Sequence, residues 1–227
     1  MRLSAWLPAG GSLTWAPMGP AMPVVSLVPL EAFRFTDDAS LARWEQKTFK
    51  GYTHYEIQNE EGRRYLRSLS EDASCGLYMK TQRKATPDLY LQWKWRAREF
   101  PQKKEPLRLS NRSEDDFAAR LYVIFLASNF FRSDVIEYIW DQSVPVGTVA
   151  DSPYSDRIKL FVVHSGAAGA EDGGWYQEQR NPFEDYRRLF GKPPAYPIGI
   201  LALMSDSDNT GTRASADFEE IIVGLKK

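Results

Sequence analysis

The chain is poor in the residues that most often carry chemistry. Of 227 residues one is a cysteine, Cys75, and two are histidines, His54 and His164. A lone thiol closes no disulfide within the chain, so the fold requires no oxidising compartment. The stretch "EDASCGLYMK" brings no histidine near Cys75. A small, half-buried residue at a strand start is therefore a better reading than a nucleophile. Two histidines cannot make a three-histidine zinc site. Charge of one sign is lacking too: 29 Lys and Arg stand against 30 Asp and Glu. That balance gives no broad footprint for nucleic acid, and none is expected as a partner. Local pairs such as Arg63-Arg64 and Lys103-Lys104 read as solvated surface. Walker, G-x-S-x-G and H-E-x-x-H motifs are missing, and the glycines of "GAAGAEDGG" (166–174) form no dinucleotide fingerprint. No apolar run is long enough for a membrane-spanning helix, so no integral membrane segment is expected.

The first thirty residues differ from the rest. They hold one charge, Arg2, with no acid before Glu31, and are interrupted by Pro8, Gly10, Gly11, Pro17, Pro20, Pro23 and Pro29. A basic start followed by apolar residues points to a degenerate export signal, hence an exported or periplasmic protein. A mis-set start or an apolar tail lying on the domain are the other readings. Residues 31–227 then form one domain.

Strand patterns dominate that domain. In "LYLQWKWRARE" Leu89, Leu91, Trp93, Trp95 and Ala97 alternate with Tyr90, Gln92, Lys94, Arg96 and Arg98, the mark of a strand with one buried and one wet face. "RLYVIFLA" (120–127) is apolar on both faces and reads as a central strand. Further strands are expected at 135–140, 157–165, 197–204 and 216–224, and a hairpin turning at Glu61-Gly62. Asp38 reads as the cap of one short helix. "NPFEDYRRLFG" reads as a second, with Asn181 as cap, Pro182 in the first turn, Glu184 completing a capping box and Gly191 at the end. The polar stretch 100–116 reads as a surface loop. Many strands and little helix predict an all-β, antiparallel β-sandwich of jelly-roll type.

Several stretches in order carry a resemblance: "FKGYTHYEI" (49–57), "LYLQWKWRAR" (89–98), "EDDFAARLYVIF" (114–125), "IEYIW" (136–140), "GGWYQEQRNPFEDYRRLFG" (173–191) and "ALMSDSDNTGTRASADFEEI" (202–221). Together they resemble a bacterial, usually exported family classed as a domain of unknown function. The resemblance implies a jelly-roll sandwich similar to galactose-binding-like and carbohydrate-binding modules. It implies no established activity, cofactor or catalytic residue.

Three constellations could carry function. In "SDSDNTGTRASAD", Asp206, Asp208 and Gly211 fall at the first, third and sixth positions of a calcium loop. Thr210 and Asp217 break that register and the flanks read as strands, so an EF-hand is rejected. What remains is an Asx-type turn or, as a minority reading, a looser calcium site of Asp206, Asp208 and Asn209. Next, Asp116 and Arg120 share a strand face in "SEDDFAARLYVIF", which predicts either a structural ion pair or an arginine anchor for a ligand. Finally, Trp175, Glu178, Arg180 and Asp185 mix flat aromatic surface with polar forks, as sugar sites do. The favoured function is a non-catalytic module binding a carbohydrate or cell-envelope glycan. The alternatives are a glycan-acting hydrolase or lyase with a carboxylate pair, and an assembly protein without a small ligand.

Overall fold

The computed structural model describes residues 24–105, 108–109, 111–169 and 171–227. The apolar stretch expected as an export signal lies, up to residue 23, outside the described residues. Among the described residues thirteen strands form two sheets. Sheet A contains β1 (Leu27–Arg34), β3 (Thr53–Glu60), β4 (Arg63–Glu71), β6 (Leu89–Glu99), β11 (Tyr176–Arg180) and β13 (Arg213–Lys226). Sheet B contains β2 (Glu45–Lys50), β5 (Ser74–Arg83), β7 (Ala119–Phe125), β8 (Asp134–Asp141), β9 (Val149–Ser152), β10 (Ser155–Ser165) and β12 (Ile198–Met204). The strand orders are β11-β6-β13-β4-β3, with β1 also on β13, and β2-β5-β12-β7-β8-β10-β9. This is a jelly-roll-type sandwich. Because β1 begins at Leu27, residues 27–30 belong to the domain as well. No helix among the described residues is long and apolar enough to cross a membrane.

The alternation in β6 does what period two requires. Leu91, Trp93 and Trp95 point into the space between the sheets and are buried, while Tyr90, Gln92 and Lys94 face outward. Across the core Trp93 stacks on Tyr138 of β8 at 5.2 Å, and Trp95 meets Trp140 at 5.8 Å. β7 is central in sheet B, as its double-sided apolarity predicts. Its inner residues Leu121, Val123 and Phe125 join the main core. The outer face of sheet B holds a second apolar cluster of Leu109, Phe117, Ile139, Val144, Leu160 and Val162.

Several expectations need correction. β8 and β10 run parallel; the other strand pairs among the described residues are antiparallel. The chain leaves β8, skips one position to lay down β9, then returns into the gap, and a strand that fills a skipped position runs parallel to the first. The described residues of the polar stretch 100–116 form a surface loop, with Gln102, Lys104, Glu105, Arg108, Arg112 and Ser113 exposed, but Lys103 and Leu109 turn inward onto the outer face of sheet B. Lys103 is buried against Asp141 at 2.8 Å and lies over the Phe117 ring, so it is not solvated. Helix α1 (Asp38–Leu41) is capped by Asp37, one residue earlier than expected. In α2 (Pro182–Phe190) the Asn181 cap and left-handed Gly191 hold, but the Glu184 side chain turns to Arg187 instead of closing a capping box.

The indole N–H groups of Trp93 and Trp95 are buried without a hydrogen-bond partner. Packing, not polarity, is therefore what Trp93 contributes. Trp93→Ala should cost about 3–5 kcal/mol in urea unfolding, and Trp93→Phe roughly half of that, since no hydrogen bond is lost with the indole.

Candidate functional site

The outward face of sheet A is built from charge. Asp217 stands on β13, the strand between β4 and β6, and is fully buried although it faces outward. From β4, Arg67 Nε donates to its Oδ1 at 2.8 Å. From β6, Arg96 donates through Nε and Nη2 to Oδ2 at 2.9 and 2.7 Å. Two guanidinium forks thus satisfy one buried carboxylate, the condition under which such burial is tolerated. Arg96 has donors to spare. Nη2 also reaches Glu60 at 2.9 Å, on the β3 side, and Nη1 reaches the Gly173 carbonyl at 2.9 Å.

That last bond anchors the loop between β10 and β11. Asp172 (φ 44°, ψ 34°) and Gly173 (φ 63°) are both left-handed there, and Gly174 also has positive φ. An aspartate in this region carries a backbone cost of about 1 kcal/mol. The cost is offset by what the loop presents: Asp172 receives Lys94 at 2.9 Å and Arg63 at 3.1 Å. Trp175 follows, with the Arg96 guanidinium 4.7 Å and the Arg63 guanidinium 5.4 Å from its ring centre and Tyr65 edge-on. Glu60, Glu61, Arg63, Arg96, Asp172, Gly173 and Trp175 together line a cleft of about 440 Å³. Arg96 holds the Glu60 carboxyl below its ordinary range, and Lys94, then Arg63, do the same for Asp172.

The expected site residues do not converge. Trp175 belongs to this cleft, but it is 5% exposed and its ring lies against guanidiniums, so it offers no open face for stacking a sugar. Glu178 and Arg180 lie on the inward side of β11 at the sandwich edge. There Glu178 meets His164 at 3.1 Å, and Arg180 forms a fork with Asp185, which also accepts the Tyr138 hydroxyl at 2.7 Å. His164 is packed between Trp140 and Tyr176, 4.1 Å from each. These groups close the edge between the sheets.

Asp116 and Arg120 sit elsewhere again, near one end of the outer face of sheet B. Arg120 is buried, but its partners are Asp206 (Nε to Oδ1, 2.9 Å), Glu137 (2.8 Å) and the Asp115 carbonyl, not Asp116. Asp116 precedes β7 and instead accepts the backbone N–H groups of Asn209 and Thr210, at 3.2 and 2.6 Å. One arginine thus faces an excess of buried acid. Burial, with Asp115 adding and Arg120 opposing, raises Glu137 to about 7. Burial likewise pushes Asp206 well up.

The calcium reading gains one residue and loses one. Asp116, Asp206 and Asp208 bring carboxylate oxygens within 4.8 Å of one another, whereas the Asn209 amide donates to the Tyr154 hydroxyl. Carboxylates suit calcium, but Asp206 is already committed to Arg120 and Asp116 to two amides. The donor set therefore fits an ion incompletely. The loop is not held by its own Asp and Asn side chains: Asp116 accepts the Asn209 and Thr210 N–H groups, and the Ser207 carbonyl accepts those of Gly211 and Thr212.

Sequence reading missed Glu60, Arg63, Asp172 and Asp217 as neighbours. Lys94, Arg96 and Arg98 were visible as one wet face. Nothing local shows that Asp217, 121 residues after Arg96, lies beside it.

The chain matches, over residues 42–222, the family described as "Protein of unknown function (DUF3047)" and belongs to that family. No curated protein matches it. Among solved structures, the Spr0440 glycoside hydrolase domain, Endo-D from Streptococcus pneumoniae R6, is 9% identical with a TM-score of 0.39; the match covers 80% of this chain and only 22% of that one. The family 11 carbohydrate-binding module of the cellulosomal cellulase Lic26A-Cel5E of Clostridium thermocellum is 9% identical with a TM-score of 0.45, over 90% of this chain and 98% of that one. TmCBM27, a carbohydrate-binding module for mannan recognition, is 9% identical with a TM-score of 0.39, over 89% and 99%. These likenesses assign neither ligand nor activity.

The Arg120 network makes stability depend on pH. Glu137 titrates near 4.5 in an unfolded chain and at about 7 when folded. Between those values the folded chain holds the extra proton, so stability falls as pH rises. Tm followed from pH 5 to 7.5 should decline less steeply in Glu137→Gln than in the parent chain. Equal slopes would remove Glu137 as the source.

Proposed function

We propose that this protein is a non-catalytic carbohydrate-binding module that takes a glycan in the cleft on the outer face of sheet A, in an exported or cell-envelope setting. The observation that carries this is the 440 Å³ cleft itself, where guanidinium and carboxylate groups alternate on a rigid sheet beside a tryptophan wall. Sugar hydroxyls both donate and accept, so a surface with both kinds of group in fixed positions suits them. Since cations occupy the faces of Trp175, recognition runs through hydrogen bonds and charge more than through ring stacking.

Two points favour binding over hydrolysis. A glycosidase acid must hold a proton at working pH, yet the cleft carboxyls Glu60 and Asp172 are kept ionised by Arg96, Lys94 and Arg63. The carboxyls pushed up from their ordinary range, Glu137, Asp206, Asp115 and Asp208, all lie outside this cleft.

Affinity gel electrophoresis against neutral and uronate-containing polysaccharides, with peptidoglycan pull-down, tests the proposal. At least one glycan should retard the protein. Arg63→Ala with Asp172→Ala should weaken that binding by about tenfold or more, with little change in Tm because neither side chain is buried. No retardation by any glycan, or retardation that ignores both substitutions, would overturn it.

A further inference from the structure

One end of the sandwich gathers the β7–β8 loop (126–133), the α2–β12 loop (191–197) and the start of β10. Phe125 pairs with both Ile198 and Asp134, the Leu126 N–H donates to the Pro197 carbonyl, and Arg157 reaches the Arg132 carbonyl at 3.3 Å. The tip of the first loop is a built turn. Phe130–Arg132 form one turn of 3-10 helix, capped by Asn129 accepting the Phe131 N–H at 3.0 Å and closed by Ser133 N–H to the Phe130 carbonyl.

That turn projects two phenylalanines into solvent. Phe130 is 57% and Phe131 87% exposed, with their rings edge-on at 6.4 Å. A turn that only reversed the chain would need no apolar side chain, and exposing two rings in water is unfavourable. The surrounding charge is basic. Arg132, Arg188 and Lys192 make no ion pair among the described residues, while Arg187 shares Glu184. A second cleft of about 380 Å³ at the end of α2 is lined by Arg187, Arg188 and Lys192 with Glu184 as its one acid. Asp134 is buried and taken by Arg157 and Tyr186, which leaves Asp156 as the exposed acid at the start of β10.

We propose that this end of the domain docks on an anionic lipid surface. Phe130 and Phe131 enter the headgroup–acyl boundary, and Arg132, Arg188 and Lys192 face the lipid phosphates. A protruding aromatic pair at the same end of the domain as cations free of ion pairs among the described residues, Arg188 among them although its guanidinium lies over the Phe161 ring, is what interfacial insertion requires. A stable protein interface would instead need an apolar or complementary patch on the order of hundreds of Å² per partner, which two isolated rings do not supply. The inference is independent of glycan binding, since it uses other strands, other residues and another face.

Co-sedimentation of the full chain with phosphatidylcholine vesicles, with and without phosphatidylglycerol, tests it. Binding should appear with the anionic lipid and fall as salt is added. Phe130→Ser with Phe131→Ser should lower partitioning by about tenfold or more, with Tm unchanged. Arg132→Glu with Lys192→Glu should weaken it by about tenfold at low salt. Absence of binding to anionic vesicles, or binding that survives the paired serines, overturns the proposal. So does finding instead that the serines abolish self-association in the ultracentrifuge, which would make the loop a protein contact.

Discussion

Arg96 is the side chain on which the outer face of sheet A depends. It donates to Asp217 on the neighbouring strand, to Glu60 across the sheet and to the Gly173 carbonyl in a loop, and it covers one side of Trp175. A lysine could not take its place. Only a planar fork with five donors puts two N–H groups on one carboxylate oxygen while holding a carbonyl and a second acid, and still presents a flat face to an indole. Because Asp217 is fully buried, both of its arginines are fixed by the cost of leaving it unpaired. The cleft is therefore preorganised by an electrostatic requirement of the fold itself.

Sheet B shows the same device turned to another purpose. Arg120 lies under the loops that follow β6 and β12, and its partners Asp206, Glu137 and Asp115 are buried with it. Here burial, with more acids than the one arginine can pair, raises Glu137 and Asp206, and the network is closed to solvent. On sheet A the surface carboxyls Glu60 and Asp172, beside Arg96, Lys94 and Arg63, are held below their ordinary range. The two faces differ in which groups are left for a ligand, although both rest on arginine–carboxylate pairs. Lys103, buried between Asp141 and the Phe117 ring, extends the network into the segment between β6 and β7.

Local features of the sequence read through clearly. The β6 alternation, the central position of β7, the Glu61-Gly62 hairpin and the Asn181 and Gly191 ends of α2 all rest on interactions within a few residues. The sites were less legible. Asp116 and Arg120 looked like partners at a spacing of four, but the chain bends before β7 and gives Arg120 to Asp206, 86 residues away. Trp175 looked like a sugar platform, but Arg63 and Arg96 cover it. Glu178, Arg180 and Asp185 looked like one polar cluster with Trp175, but Glu178 and Arg180 point inward from β11, where Asp185 meets Arg180 from α2, while Trp175 precedes the strand and lies in the outer cleft. The strand at 176–180 carries no local signal, because it is short and its hydrogen-bonding partner is distant in sequence.

By itself the sequence determined the class of fold, most of the strands, both faces of β6 and the ends of α2, because side-chain period and end-capping are short-range physics. The tertiary structure alone decided which acid meets which arginine. Strand order puts Arg67, Asp217 and Arg96 side by side from three distant parts of the chain. Whether a charge is buried and paired or open to a ligand depends on those neighbours, and on the dielectric they create, and not on the residue's own identity.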